Sequence, residues 1–528
     1  MDSALVLHPH HRLTAAPRWL SGMLPALLLL GIGARLLVLA HSDLHPDEAL
    51  YAGWALRIAD GSDPALLHVA VDKPPWLPYL LAGLFRLLGY PHTGPFDPAW
   101  LALAGRLAAV VASSLSLILF WLIARRLHDT RTATLALALM ALSPLAVRLS
   151  ATLFTDPWLL LWLLLAWWAA LARRNWLAGV ACGLAYATKQ QAVLFLPALT
   201  GLIWWQSSHP YAGRTNADEN EQARSKPNPS DFQISGPGAA RQRWQALQGF
   251  LLVAVLVLWW DSLRWQWLPS YWQRSAATYG GLHWALDASF WPRLGQWAEL
   301  IGLALGWPVW LIAAALLLRQ RTRPAWQRTD AILLLVALGY LLLHLFTTLA
   351  PWDRYALPLV PLLALPIARL LAAADSSPRR VLPVLLGAAL LVNGMMGASA
   401  RLPLADAGLY RGVAQSAAWL RQQPADTVVY QHRLGWHYSF YLYRTPVELR
   451  WWATPADLAT AVAASSPAPA LVAFAAGDDI AAAAAALQDR GFALLPTFAN
   501  DQSAATSHQA ASLYRIVPAA AAAPTHAR

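Results

Sequence analysis

Long apolar runs separated by short polar breaks dominate the chain from residue 19 to residue 399. Each approaches the roughly 20 residues that let an α-helix cross the hydrocarbon core of a bilayer. They fall at 19–40, 101–124, 132–149, 157–172, 175–188, 190–205, 246–264, 298–318, 330–349, 355–373 and 381–399. The pattern predicts about eleven spans, with the fifth and sixth short enough to be tilted or half-buried. Segment 265–297 interleaves aromatics with polar residues, which predicts a helix or loop lying in the membrane interface. Stretch 206–243 is rich in Ser, Pro, Asn and Gln without an apolar period, and predicts a disordered loop. Beyond residue 400 the period changes. "DTVVYQ", "PALVAFAAG" and "ASLYRIVP" predict strands, and 408–422, 455–464 and 478–490 predict helices. Their alternation predicts a small α/β domain over 401–517, followed by a disordered low-complexity tail at 518–528. The fold class is therefore an α-helical polytopic membrane protein carrying a small C-terminal α/β domain.

Composition agrees with this pattern. Of 528 residues, 57% are hydrophobic and 13% charged, and the 29 tryptophans suit a long membrane–water boundary. The formal charge of +11 is not gathered into a patch for nucleic acid. Its bases sit in the breaks between runs: Arg125, Arg126 and Arg131; Arg173 and Arg174; Arg319, Arg321, Arg323 and Arg328; Arg379 and Arg380. Basic residues mark cytoplasmic loops, so the N-terminus and the 206–243 insert are predicted inside and the α/β domain outside. The single cysteine, Cys182, excludes a disulfide within the chain. The opening "MDSALVLHPHHRLTAAPRWL" leads into a long run without a convincing cleavage site, and reads as a retained first span.

The same orientation gathers acids outside. The 41–100 loop holds Asp43, Asp47, Glu48, Asp60, Asp63, Asp72 and Asp97; Asp156 opens the fourth run and Asp353 precedes the tenth. Within "HPDEALYAGWALRIADG", Pro46 and the two acids make a good first helical turn, and a cap alone accounts for them. Asp156 in "TDP" reads locally as a helix N-cap. Lys73 in "VDKPP" reads as a snorkelling interface lysine, and Arg354 as an interface anchor. Lys189 lies between two apolar runs, so it requires a partner or a water-filled cavity. His41, His45, Asp43 and Glu48 are close in sequence, but no zinc-like spacing is present.

Together these stretches resemble the GT-C polytopic glycosyltransferases, near the protein O-mannosyltransferases and the lipid A aminoarabinose transferases. "HPDEALYA" resembles the family's first-loop acidic motif and "VDKPPWLPYL" the element that follows it. "LSATLFTDPWLLLWLLLAWW", "GLAYATKQQAVLFLPAL" and "PWDRYALPLVPLLALPIARLL" then occur in family order, so the likeness extends from residue 19 to about 375. It implies a GT-C catalytic domain over residues 1–400 of a bacterial inner-membrane enzyme. The implied reaction moves a sugar from a polyprenyl-phosphate donor to a lipid A, glycan or protein acceptor on the outer face, with inversion. Asp47 matches the general base; Glu48 and Asp156 are the further candidate catalytic acids. Lys73, Arg354 and Tyr355 are the implied phosphate ligands, with Lys189 secondary; the position of Arg274 and Tyr271 in the outer 265–297 segment suggests that they cover the donor, Arg274 as a further phosphate ligand. No metal ligand and no definite cofactor is implied, although some relatives use a divalent cation. Leu50 departs from the Arg of many aminoarabinose-transferase-like members, which argues against that sugar. A flippase for a lipid-linked sugar is the alternative reading, since it too needs an outer cavity lined by cations and aromatics.

Overall fold

The computed structural model describes residues 18–39, 43–92, 96–208, 237–285, 287–319, 327–374, 381–399, 408–465, 470–498 and 511–522. Its first stretch folds into α1 (Arg18–Val38), α2 (Pro46–Ala59), α3 (Trp76–Leu87), α4 (Pro98–Leu127) and α5 (Thr130–Ala141). Next come α6 (Pro144–Leu149), α7 (Asp156–Leu171), α8 (Asn175–Thr188) and α9 (Leu196–Ser208), the last entered through a 3₁₀ turn at Gln190–Phe195. The helical part continues as α10 (Pro237–Ser262), α11 (Tyr271–Tyr279), α12 (Phe290–Leu305), α13 (Trp307–Arg319), α14 (Arg328–Phe346), α15 (Leu359–Ala374) and α16 (Val381–Ala398).

Every predicted run contains helix, but two are broken. The 132–149 run divides at Ser143, whose hydroxyl accepts from the Ala146 N–H while Pro144 opens a new helix. The 298–318 run bends by 90° between α12 and α13. Gly306 makes the bend: its φ is +83°, and a Cβ there would meet the Asn393 side chain at 2.1–2.3 Å. The bend leaves carbonyls without helical partners, and side chains supply them. Ser143 donates to the Ala304 carbonyl at 2.6 Å and Asn393 to that of Leu305 at 2.7 Å. Among the described residues, four helices are singly long and apolar enough to cross a membrane: α4, the Ala240–Ser262 part of α10, α14 and α16. The bent pair makes up to five, and the remaining apolar helices are shorter.

The bundle has two polar ends. At one, Asp330 of α14 accepts from Arg369 and faces His128 at 3.4 Å. At the other, Arg106 of α4 meets the first loop. Arg106 and His128 are 22 residues apart, hence about 33 Å along a helix, close to the thickness of a bilayer core.

The C-terminal part forms α17 (Val413–Leu420), β1 (Val428–Gln431), α18 (Gly435–Tyr441), β2 (Glu448–Trp451), α19 (Pro455–Ala463) and β3 (Ala470–Phe474). It closes with α20 (Ile480–Gln488), β4 (Phe492–Phe498), β5 (Ser512–Pro518) and the short α21 (Ala519–Ala522). The sheet order is β2-β1-β3-β5-β4. β1 pairs in parallel with β2 and β3, whereas β5 runs antiparallel to β3 and β4. All four residues of β1 are buried, as expected of a central parallel strand covered on both faces. Strands β2 and β4 and helix α18 were not among the predicted elements. The 401–407 boundary lies outside the described residues, but one apolar cluster joins the two parts, with Ala417, Leu434 and Tyr438 sharing it with Leu44 and Ala49.

Helix occupies the edges of both stretches predicted to be disordered. Helices extend into the 206–243 insert from both sides, to Ser208 and from Pro237, and 209–236 lie outside the described residues. The tail begins with helical Ala519–Ala522, and 523–528 lie outside the described residues.

Candidate functional site

Helix α2 starts with a full set of caps. Pro46 takes the first helical position, the His45 ring accepts from the Asp47 N–H at 3.0 Å, and Glu48 accepts from the His45 N–H at 2.8 Å. The capping reading of "HPDE" therefore holds, and the two carboxylates also have separate uses. Nine of the helix's 14 residues are buried, so α2 is enclosed by protein rather than laid on a surface.

Asp47 pairs with Arg354 at 2.8 Å, bringing the first loop to the 3₁₀ turn Asp353–Ala356. Arg354 is buried against Phe154 and Trp352, their rings at 4.9 and 5.3 Å. Burial raises the pKa of Asp47, but Arg354 foremost, then His45, Lys73 and Lys189, outweigh it and hold this carboxyl below the ordinary aspartate value.

Glu48 serves a different purpose. Only 2% exposed, it accepts from Arg106 Nε at 3.1 Å and Nη2 at 3.0 Å, from the Leu153 N–H at 2.8 Å and from the His45 N–H. This ties α2 to α4 and to the loop that leads into Asp156. Burial alone would raise the Glu48 pKa, yet Arg106 and the two backbone donors hold it low. Such a carboxylate, with its lone pairs occupied, ties its neighbours together.

Asp156 is the first residue of α7, Thr155 being the cap, and it accepts from Lys189 at 2.7 Å. Asp156 thus pairs with Lys189 and not with Lys73. Lys189 is fully enclosed, its ammonium 4.5 Å from the centre of the Tyr355 ring. Lys73 pairs with its neighbour Asp72 and donates to the Tyr279 hydroxyl at 3.0 Å, with that ring 4.6 Å away. Gln190 bridges the Asp72 carbonyl at 3.2 Å and Ser275 at 2.9 Å, fastening α11 to the same group. Three carboxylates and three cations thus share one end of the bundle: Asp47–Arg354, Asp72–Lys73 and Asp156–Lys189. Tyr355 lies beneath Lys189, and its carbonyl accepts from Tyr340 at 2.8 Å.

Arg274 is not brought into this group: it is exposed on α11, and no side-chain partner of it is seen among the described residues. Tyr271 is wholly buried, sharing a 2.5 Å hydrogen bond with Tyr186, and packs α11 down onto the bundle. The residue of α11 that reaches the cations is Tyr279. Tyr279 and Gln190 carry no distinguishing sequence signal, and Asp72 reads there only as one of the outer-loop acids. Arg106 had the clearest signal there, as a lone Arg inside an apolar helix. Of the first-loop residues that could hold a cation, His45 serves as the cap and Glu48 is taken by Arg106. His41 lies outside the described residues, and no group of three His, Cys, Asp or Glu is seen among those described.

Comparison with known proteins follows the same line. Residues 72–215 match the family described as dolichyl-phosphate-mannose-protein mannosyltransferase. The chain is 32% identical over 200 residues to an undecaprenyl phosphate-alpha-4-amino-4-deoxy-L-arabinose arabinosyl transferase of Pseudomonas aeruginosa (strain LESB58). That match covers 34% of this chain and 35% of the relative, so the chain spans about a third of the curated relative it matches. ArnT from Cupriavidus metallidurans, solved bound to undecaprenyl phosphate, shares the fold over 95% of this chain and 98% of its own, with a TM-score of 0.55 and 14% identity. Its apo structure gives the same coverage, with a TM-score of 0.56 and 15% identity. The chain thus shares the fold of the ArnT structures over nearly its whole length, and over residues 72–215 it resembles the dolichyl-phosphate-mannose-protein mannosyltransferases.

Proposed function

We propose that the chain is an integral membrane glycosyltransferase that moves a sugar from a polyprenyl-phosphate donor to an acceptor on the outer face of the bacterial inner membrane. In this reading it has about eleven spans, a cytoplasmic N-terminus and an α/β unit outside, and the acceptor is a lipid A, glycan or protein group. The observation that carries the reading is Asp47, a carboxylate 2.8 Å from a buried arginine and close enough to Lys73 and Lys189 to feel their charge. The donor class is supported by the undecaprenyl phosphate of the similar ArnT structure and by the named donor of the Pseudomonas relative. Leu50 argues against aminoarabinose as the sugar.

The chemistry follows from the charges. The acceptor O–H gives its proton to Asp47 as its oxygen bonds to the anomeric carbon from the face opposite the phosphate. The carbon–phosphate-oxygen bond breaks, the configuration inverts, and the departing polyprenyl phosphate gains one negative charge. Arg354 and Lys73 are the cations for that charge, with Lys189 and Tyr355 behind them. In the resting enzyme Arg354 holds Asp47 as a stabilised, weakly basic carboxylate. An incoming phosphate competes for Arg354 and so raises the basicity of Asp47 when the donor is bound. Asp156 and Lys189 hold the floor of the site. Glu48 keeps Asp47 and the Asp156 loop in register.

The test is incubation of the purified full chain in nanodiscs with a labelled polyprenyl-phosphate sugar and an envelope lipid and protein extract. Label moving to an acceptor, with release of free polyprenyl phosphate, is expected. Label crossing the bilayer still joined to its lipid would mean a flippase instead.

A further inference from the structure

Helix α2, which carries Asp47, is held at both ends by one segment of the C-terminal unit. At its start, His437 of α18 is wholly buried with Nε2 2.8 Å from the carbonyl oxygen of Leu44, the residue before the cap. A carbonyl only accepts, so Nε2 carries the proton; Nδ1 is buried without a hydrogen-bond partner. The Tyr410 ring lies over His437 at 4.8 Å and meets the His45 ring edge-on at 6.2 Å. His45 in turn accepts from the Asp47 N–H.

At the far end Asp60, the C-cap of α2, accepts from the Tyr443 hydroxyl at 2.9 Å and pairs with Arg444 at 2.9 Å. Arg444 has a φ of +59°, a left-handed backbone that a non-glycine residue keeps only where its surroundings hold it. Arg421 adds a bond to the Phe96 carbonyl at 3.2 Å, over the Phe96 ring. These contacts come from residues 410–444, nearly 400 positions from α2 in the chain. Packing alone needs no donor on the Leu44 carbonyl, nor a hydroxyl and a guanidinium on the opposite cap.

We infer that the C-terminal α/β unit acts as a clamp on α2, with His437 as the positioning residue that holds Asp47 against Arg354. The inference rests on Asp47 being the base, and it assigns the unit a part in the reaction without any contact to substrate. Loss of the Leu44 bond lets the first turn of α2 shift, separates Asp47 from Arg354 and slows transfer without altering the donor's own cations.

The test compares His437→Leu, His437→Gln and Tyr443→Phe with the wild type and Asp47→Asn, each as the full chain in nanodiscs. His437→Leu is expected to lower kcat about tenfold with KM for the donor within twofold, and to move the acid limb of kcat/KM upward as Asp47 leaves Arg354. His437→Gln, which keeps a donor at similar reach, is expected to restore at least half of kcat, and Tyr443→Phe to cost about threefold. Amide exchange over residues 44–52 reads the clamp without any turnover, and is expected to be at least fivefold faster in His437→Leu. Wild-type kcat, acid limb and exchange in folded His437→Leu and Tyr443→Phe overturn the clamp. If His437→Leu does not fold, Tyr443→Phe decides by the same readouts. If Asp47→Asn transfers normally, the base assignment is what fails, and the exchange measurement still decides the clamp.

Discussion

Adjacent carboxylates in one helical turn have opposite environments here. Glu48 is enclosed by Arg106 and two backbone N–H groups, whereas Asp47 has a single strong partner and a partly open face. Removing one member of a buried charged pair costs about 3–5 kcal/mol, because the other charge is left uncompensated. Glu48→Ala is therefore expected to destabilise the protein by about that amount, read as a lower Tm in detergent. Asp47→Asn also takes the carboxylate from a buried arginine, but at a partly open position, and is expected to lower Tm less than Glu48→Ala. The pH dependence follows from Arg354. Since the folded carboxyl of Asp47 titrates below the ordinary aspartate value, its charge is present above that value and lost only as pH falls through the lowered one. The acid limb of kcat/KM, which reports the free enzyme, is expected below pH 3.8, and that of kcat, with Arg354 shared by phosphate, at higher pH. Coincident limbs in pH–rate profiles would contradict this sharing. Both acids, Lys73, Arg354 and Asp156 are legible in the sequence because their neighbours are distinctive. Which acid meets which cation is not, since Lys73 turns to Asp72 and Lys189 reaches Asp156 across 33 positions.

At the scale of elements, apolar runs reveal helices but not their breaks. A hydropathy run counts residues, whereas a 90° bend depends on whether freed carbonyls find donors elsewhere, here Ser143 and Asn393. Neither residue stands out in a one-dimensional reading. Gly306→Ala is expected to destabilise severely, through its left-handed φ and the collision with Asn393. Asn393→Leu, which leaves the Leu305 carbonyl unpaired, is expected to cost about 1–3 kcal/mol. Thermal unfolding of the two variants checks the order. The same limit explains α11. Its aromatic, polar sequence indicates the interface, but only its fold shows that Tyr279, and not Arg274, reaches Lys73.

At the scale of the whole molecule, the α/β unit is joined to the membrane bundle through α2, and this contact titrates. Burial holds His437 down to about 4 from the ordinary 6.5, with His45 and Glu48 the titratable groups facing it from α2 and Tyr410 the ring above. Above pH 6.5 the docked and undocked forms are both neutral. As pH falls below 6.5 only the undocked imidazole takes up a proton, so docking weakens progressively until about pH 4. Stability is expected to fall by up to roughly 1.4 kcal/mol per pH unit in that window, and His437→Gln to remove this slope. Thermal scans from pH 7 to pH 4.5 check it. The most direct test of the central claim is single-turnover transfer from a labelled polyprenyl-phosphate sugar by Asp47→Asn, with binding of undecaprenyl phosphate measured on the same sample. Removing the proposed base while Arg354 becomes free for phosphate is expected to lower the transfer rate at least about 10³-fold and to leave lipid affinity equal or tighter. Transfer within threefold of the wild type would contradict the account.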